Sequence, residues 1–176
     1  YMDSPLAIQA TRIFQDANPA VFDDEMQALL RAGKNPISFP DLVISLTAED
    51  SKRINFQTRP CVIISASGMA EAGRIRHHLK HNLWRKESTV LFVGYQSVGT
   101  LGRQIFDGAK RVKLFNETIS VNAESRALHA ISGHADPAAL LKWADSVDPK
   151  PRRFFVVHGE EGVAATFEDL LRKRGN

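Results

Sequence analysis

Two histidines in this sequence occupy positions where an imidazole can meet a ligand. His134 lies in Ser132-Gly133-His134-Ala135-Asp136, between an expected strand and the cap of an expected helix. His158 ends the apolar run Val156-Val157 just before Gly159-Glu160. An imidazole at a strand end can ligate a metal or hand over a proton near neutral pH. The same pair also suits a purely structural role, and residue types alone leave those readings open. Asp136 reads first as a helix N-cap.

A second group is built for anions. Ser65-Ala66-Ser67-Gly68-Met69 joins an apolar run to a helical pattern. Ligands of open α/β sheets bind at the carboxyl ends of strands, and helix amino ends offer free N–H groups to anions. Ser67 and Gly68 would let the backbone come close to a phosphate, with Arg74 and Arg76 one turn away. Gly94-Tyr95-Gln96 through Gly99-Thr100-Leu101-Gly102-Arg103 ends the next strand, so a cleft shared with Ser67 is expected. Both segments also read as ordinary strand–helix turns. A third group is His77, His78 and His81 beside Arg74 and Arg85. His77 and His81 stand at i and i+4, a spacing that could hold a zinc with a third ligand. Because Ile75, Leu79 and Leu83 take the inner face, a basic outer surface touching RNA is the favoured reading.

The elements that position these residues alternate. Ser4-Pro5 caps a helix through Phe14, and Asp23 to Ala32 forms a second that stops at Gly33. Leu42–Leu46 reads as a buried strand, Thr47-Ala48-Glu49-Asp50 as a capping box, and Cys61–Ser65 as a central parallel strand. A helix over 72–84, a strand over 89–93 and a helix over 101–106 follow. This strand–helix order predicts an α/β fold with a parallel, doubly wound sheet. Beyond Asp107 the texture changes: Arg111–Phe115 and Thr118–Ala123 read as strands, the second half-buried and antiparallel. A helix from Asp136-Pro137, a strand over 153–157 and a closing helix complete the chain. Two lobes are expected, 1–107 and 108–176.

Composition narrows the function classes. Of the 176 residues, 43% are hydrophobic and 24% charged, near globular averages, which argues against disorder and fibrous repeats. The longest apolar runs fall far short of the ~20 residues that span a bilayer. A single cysteine, Cys61, excludes an internal disulfide and a cysteine-based zinc knuckle. No signal peptide is visible, and a cytoplasmic setting is expected. Net charge is +3, yet residues 61–115 hold nine Lys and Arg against three Asp and Glu. Such a block attracts polyanions or simply solvates a helix face.

Taken in order, Asp3-Ser4-Pro5-Leu6-Ala7, Ser67-Gly68-Met69, Gly94-Tyr95-Gln96, Gly99–Arg103, Ser132–Asp136 and Val157-His158-Gly159-Glu160 resemble the β-CASP branch of the metallo-β-lactamase fold, the zinc-dependent nucleases that process RNA. The resemblance implies a β-CASP lobe followed by the carboxyl-terminal β/α segment of a metallo-β-lactamase fold. It implies that His134 protonates the leaving oxygen, that His158 is a zinc ligand, and that Ser67, Gly68, Met69 and Ser132 contact the substrate. It further implies single-stranded RNA as partner, and two zinc ions about 3.5–4 Å apart that lower the pKa of a bridging water. The family's His-x-His-x-Asp-His run is nowhere in this sequence. The chain is therefore expected to be the carboxyl-terminal part of such a ribonuclease, to lack the amino-terminal metallo-β-lactamase half, and alone to bind no zinc pair and cleave nothing. A homodimer through the last helix is a further expectation. Competing readings are a non-catalytic nucleic-acid-binding or scaffold module of the same family, and a flavodoxin-like nucleotide domain, which leaves His134 and His158 unexplained.

Overall fold

The computed structural model describes residues 1–128 and 133–174. Its contacts divide the chain into two units, Tyr1–Ala130 and Ile131–Asn176. The fold is mixed α/β with parallel strand pairing, the class the alternation predicts.

The first unit opens on a short parallel junction. Met2 bridges Ile44 on one side and Ile64 on the other, both in parallel. The Asp3 N–H donates to the Ile64 carbonyl at 2.8 Å and the Ser45 N–H to the Met2 carbonyl at 3.0 Å. Three segments thus end together at Asp3, Ser45 and Ser65, and each runs into a turn or helix. Ser4 caps helix α1 (Pro5–Asp16) with its hydroxyl, and Pro5 supplies the preset first-turn φ. Asp23 caps α2 (Asp24–Arg31), which stops where Gly33 takes φ +73°. Thr47 and Asp50 form the reciprocal capping box of α3 (Ala48–Ile54).

The core lies further along. Helix α4 (Ile75–Asn82) sends Leu79, and past its end Leu83, against β1 (Thr89–Phe92) and α5 (Leu101–Phe106). The hairpin β2 (Arg111–Leu114) and β3 (Glu117–Ser120) closes the cluster with Val112 and Leu114. Phe115 and Asn116, at φ +51° and +65°, make the two-residue turn that antiparallel twist favours. Strand β4 (Glu124–Ala127) then returns to pair in parallel with β1, Thr89 opposite Glu124. In the second unit α6 (Pro137–Asp145) and α7 (Glu161–Lys173) share a small core of Leu141, Ala144 and Leu171, joined by Phe154 and Val156.

Several elements depart from expectation. Residues 42–46 and 61–65 make single parallel bridges rather than extended ladders, and Cys61 and Val62 are exposed instead of central. Their β-branched composition suits a pleated surface, but among the described residues no further strand covers it. The helix expected over 72–84 is assigned only over Ile75–Asn82, because residues 66–73 fold into a loop of their own. Residues 153–157 alternate inward and outward without a ladder partner among the described residues, and β4 carries no run that signals a strand. No helix among the described residues is long and apolar enough to cross a membrane.

Leu83 is fully buried and Leu6 is 76% exposed. Leu83→Ala should therefore lower unfolding free energy by about 2–5 kcal/mol, whereas Leu6→Ala should stay within about 0.5 kcal/mol. Urea unfolding followed by circular dichroism reads both.

Candidate functional site

Asp3 sits at the end of the junction with no exposed surface, an expensive place for a carboxylate. Its neighbours compensate. Ser51 from α3 donates to Oδ2 at 2.6 Å, and Arg74 Nη1 donates to Oδ1 at 2.7 Å. His78 Nε2 lies 2.6 Å from Oδ2, while its Nδ1 faces Asn55 Oδ1 at 3.1 Å. Arg74 also donates to the carbonyls of Ser45 and Leu46. Burial by itself would raise the Asp3 pKa, but the hydrogen bonds from Ser51, His78 and Arg74 outweigh it and hold the carboxyl below the ordinary aspartate range.

This cluster fixes the strand-end loop that follows Ser65. The Ser65 hydroxyl donates to the Asp3 carbonyl at 3.0 Å, and Arg74 ends the loop in the Asp3 cluster. Between these anchors the chain closes on itself. The Ser67 N–H donates to the Ala72 carbonyl, the Ser67 hydroxyl accepts from the Ala72 N–H at 3.2 Å, and the Ala70 N–H returns to the Ser67 carbonyl. Gly73 must be glycine: at φ +78° an added Cβ would stand 2.5 Å from the Ala66 carbonyl oxygen. At the apex Gly68 is exposed, with open space where a Cβ would point.

The second strand-end loop is stapled to the first. Gln96 is buried, and its Nε2 donates to the carbonyls of Gly68, Gly94 and Tyr95 at 3.0, 3.2 and 3.1 Å. The Gly102 N–H donates to the Met69 carbonyl at 2.9 Å, and the Ser97 N–H to Met69 Sδ at 3.3 Å. Glu71 accepts from the Leu101 N–H at the start of α5. Gln96 Oε1 packs so closely on Gly102 that an added Cβ there would lie 2.0 Å from it. Thus Ser67, Gly68 and Met69 do come together with the Gly94–Gly102 segment.

Two sequence-based expectations are corrected. Arg74 does not stand over a phosphate cradle; it neutralises Asp3, whose burial demands a cation. Nor does α4 offer a free amino end, because the N–H groups of Ile75, His77 and His78 are taken by the carbonyls of Ala66 and Arg74. Sequence reasoning missed the Asp3–Ser51–Arg74–His78 cluster. Its signal was the i, i+4 pairing of Arg74 and His78 beside the apolar positions Ile75 and Leu79.

In the second unit His134 is exposed and precedes the Asp136 cap, whose carboxylate accepts from the Ala139 N–H at 2.7 Å. His158 is exposed at φ +62°, two residues before the Glu160 cap of α7. Ser132 lies outside the described residues. Among the described residues no three of His, Cys, Asp or Glu converge on one point, so the side chains described do not themselves fit a metal centre.

Residues 1–105 match the Beta-Casp domain, and residues 118–176 match the Zn-dependent metallo-hydrolase RNA specificity domain. Ribonuclease TTHA0252 of Thermus thermophilus is 36% identical over 175 residues, covering 99% of this chain and 39% of the relative. The transcription termination factor FttA of Methanocaldococcus jannaschii is 30% identical over 179 residues, 98% of this chain and 28% of its own length. FttA of Cenarchaeum symbiosum is 31% identical over 172 residues, 94% of this chain and 27% of its own. The chain therefore spans between a quarter and two fifths of these relatives.

The buried carboxylate carries a pH signature. With a folded-state pKa below the ordinary 3.8, its stabilisation is complete above that value and is lost as pH falls through the lower one. Asp3→Asn should cost about 3 kcal/mol at pH 7, by leaving Arg74 and His78 without their anion, and should flatten the acid-side slope below about pH 4. Urea midpoints across pH read both effects. Gly102→Ala should displace Gln96, free the Gly68 carbonyl and cost about 1–3 kcal/mol. Hydrogen exchange at residues 67–72 should accelerate with it.

Proposed function

Because the chain belongs to the Beta-Casp domain family, we propose that it is the carboxyl-terminal part of a zinc-dependent ribonuclease that hydrolyses RNA phosphodiester bonds. One observation carries the reading. The exposed Gly68 apex is held by Gln96 and Gly102 against a second strand-end loop, a preorganised backbone that a phosphate can approach. In this proposal Ser67, Gly68, Met69 and Ser132 contact a single RNA strand in the cytoplasm.

The chemistry is a displacement at phosphorus: a water oxygen bonds to phosphorus and releases a proton to solvent, the P–O bond to the departing ribose oxygen breaks, and that oxygen takes a proton. His134, when protonated, supplies it. His158 is proposed as a single ligand to a zinc centre completed outside this chain, and no step is assigned to the metal. The missing part is proposed as an amino-terminal metallo-β-lactamase half. Uncovered apolar side chains support it: in residues 153–157 Phe154 and Val156 pack inward while Phe155, 81% exposed, and Val157 face outward. A run with two apolar faces fits a strand awaiting a second layer.

A second reading, a non-catalytic nucleic-acid-binding or scaffold module, is favoured by the name transcription termination factor that the archaeal relatives bear. Cleavage of end-labelled RNA by the full-length protein separates the two. His134→Ala should slow cleavage by about 100-fold or more with zinc content unchanged, and His158→Ala should lower both. Full activity in both variants would refute these roles, and an inert unsubstituted protein with normal zinc would favour the scaffold. Sedimentation of the same protein tests the homodimer.

A further inference from the structure

Helix α4 has a second face that neither the Asp3 cluster nor the core uses. His78 faces Asp3 and Leu79 enters the core, while His77 and His81 are exposed on the other side. Trp84, 53% exposed, follows the cap at Leu83, where the backbone is still helical. At 3.6 residues per turn, positions 77, 81 and 84 fall within about 60° of one another, a stripe roughly 10 Å long.

The rings on this face are paired with cations. The Arg85 guanidinium lies 5.3 Å from the centre of the Trp84 ring. His77 stacks on Phe115, at the β2–β3 turn, with centroids 4.6 Å apart and planes 27° off parallel. The Arg76 guanidinium is 4.7 Å and the Lys80 ammonium 6.0 Å from the Phe115 ring centre. Glu117 on β3 binds Lys80 at 2.6 Å. Arg111 and Lys113 are exposed on β2. Partial desolvation of the ring, and then the charges of His78, His81, Arg76 and Lys80, lower the His77 pKa from its ordinary value, which favours the neutral ring.

We propose that this face is a second contact for single-stranded RNA, with bases stacking on Trp84 and on the His77–Phe115 pair while Arg76, Lys80 and Arg85 meet the phosphates. Every base presents a π-face, so such a track holds a strand without reading its sequence, and a duplex hides those faces. An acidic protein would satisfy the cations but leave the rings unmatched. The inference rests on the RNA reading above, but not on the Ser67–Met69 loop.

The test is binding of a fluorescein-labelled 20-nucleotide oligouridine to the full-length protein, on a His134→Ala background to keep the RNA whole. Trp84→Ala should weaken binding by about 10-fold, and Trp84→Phe should restore most of it where Trp84→Leu does not. Arg76→Gln should lower the salt slope by about one. A 4-thiouridine oligomer should cross-link within residues 76–86. Unchanged affinity in these variants, with RNA still bound, would overturn the second contact and leave the RNA reading standing. Equal losses with a duplex, or competition by polyglutamate as strong as by oligouridine, would also overturn it. Failure of the unsubstituted protein to bind oligouridine would remove the RNA reading itself, and this face with it.

Discussion

The first unit depends on a carboxylate that has no access to water. Asp3 ends the junction segment, and every group that answers its charge comes from a different part of the chain: Ser51 from α3, Arg74 from the end of the strand-end loop, His78 from α4. A buried ion stands only while each partner is in place, so the cluster ties the junction, the loop and two helices into one cooperative choice. The same ion pair removes Arg74 from any direct role toward a ligand. Arg74 instead sets where residues 66–73 can run.

From that anchor, order passes outward through backbone rather than side-chain chemistry. Ser67 is bound within its own loop, Met69 through its carbonyl and sulfur, and Gly68 through a carbonyl that Gln96 holds. Gln96 Oε1 has no hydrogen-bond partner among the described residues and rests on Gly102. Leaving a buried acceptor unmatched has a free-energy cost that a surface glutamine would avoid. Here that cost is offset by the two Nε2 hydrogens shared among three carbonyls, those of Gly94 and Tyr95 in its own loop and that of Gly68, which joins the two loops.

What the sequence made legible follows from where each signal lives. Caps are local, so Ser4, Asp23, Thr47 with Asp50, and Asp136 mark real helix starts. The apolar spacing of Leu79 and Leu83 likewise identified the core face of α4. Long-range pairing left no local trace: β4, Glu-Ser-Arg-Ala, has no strand-like composition and exists because β1 offers an edge. Arg74 was misread for the same reason. Its partner stands 71 residues away, and no nearby residue announces that Asp3 is buried. Ser67, Gly68 and Met69 were legible as a turn between a strand and a helix. The glutamine staple that fixes them was not, because Gln96 looks like any polar loop residue until its carbonyl partners are known.

Helix α4 is bound on one side to a buried ion and to the core, and on the other it displays a stripe of rings. Within its eight residues the two sets interleave, so the helix has no idle turn in which a change of length could be absorbed. One residue added or removed between Arg74 and Leu83 would rotate everything beyond it by about 100°, carrying Leu79 and Leu83 off the core and the outer rings into it. Substitution on the outer side leaves that phase intact. A change of length in this part of the chain can therefore be absorbed only in the loops on either side of the helix, and the helix itself acts as a fixed-length key whose teeth engage on two faces at once.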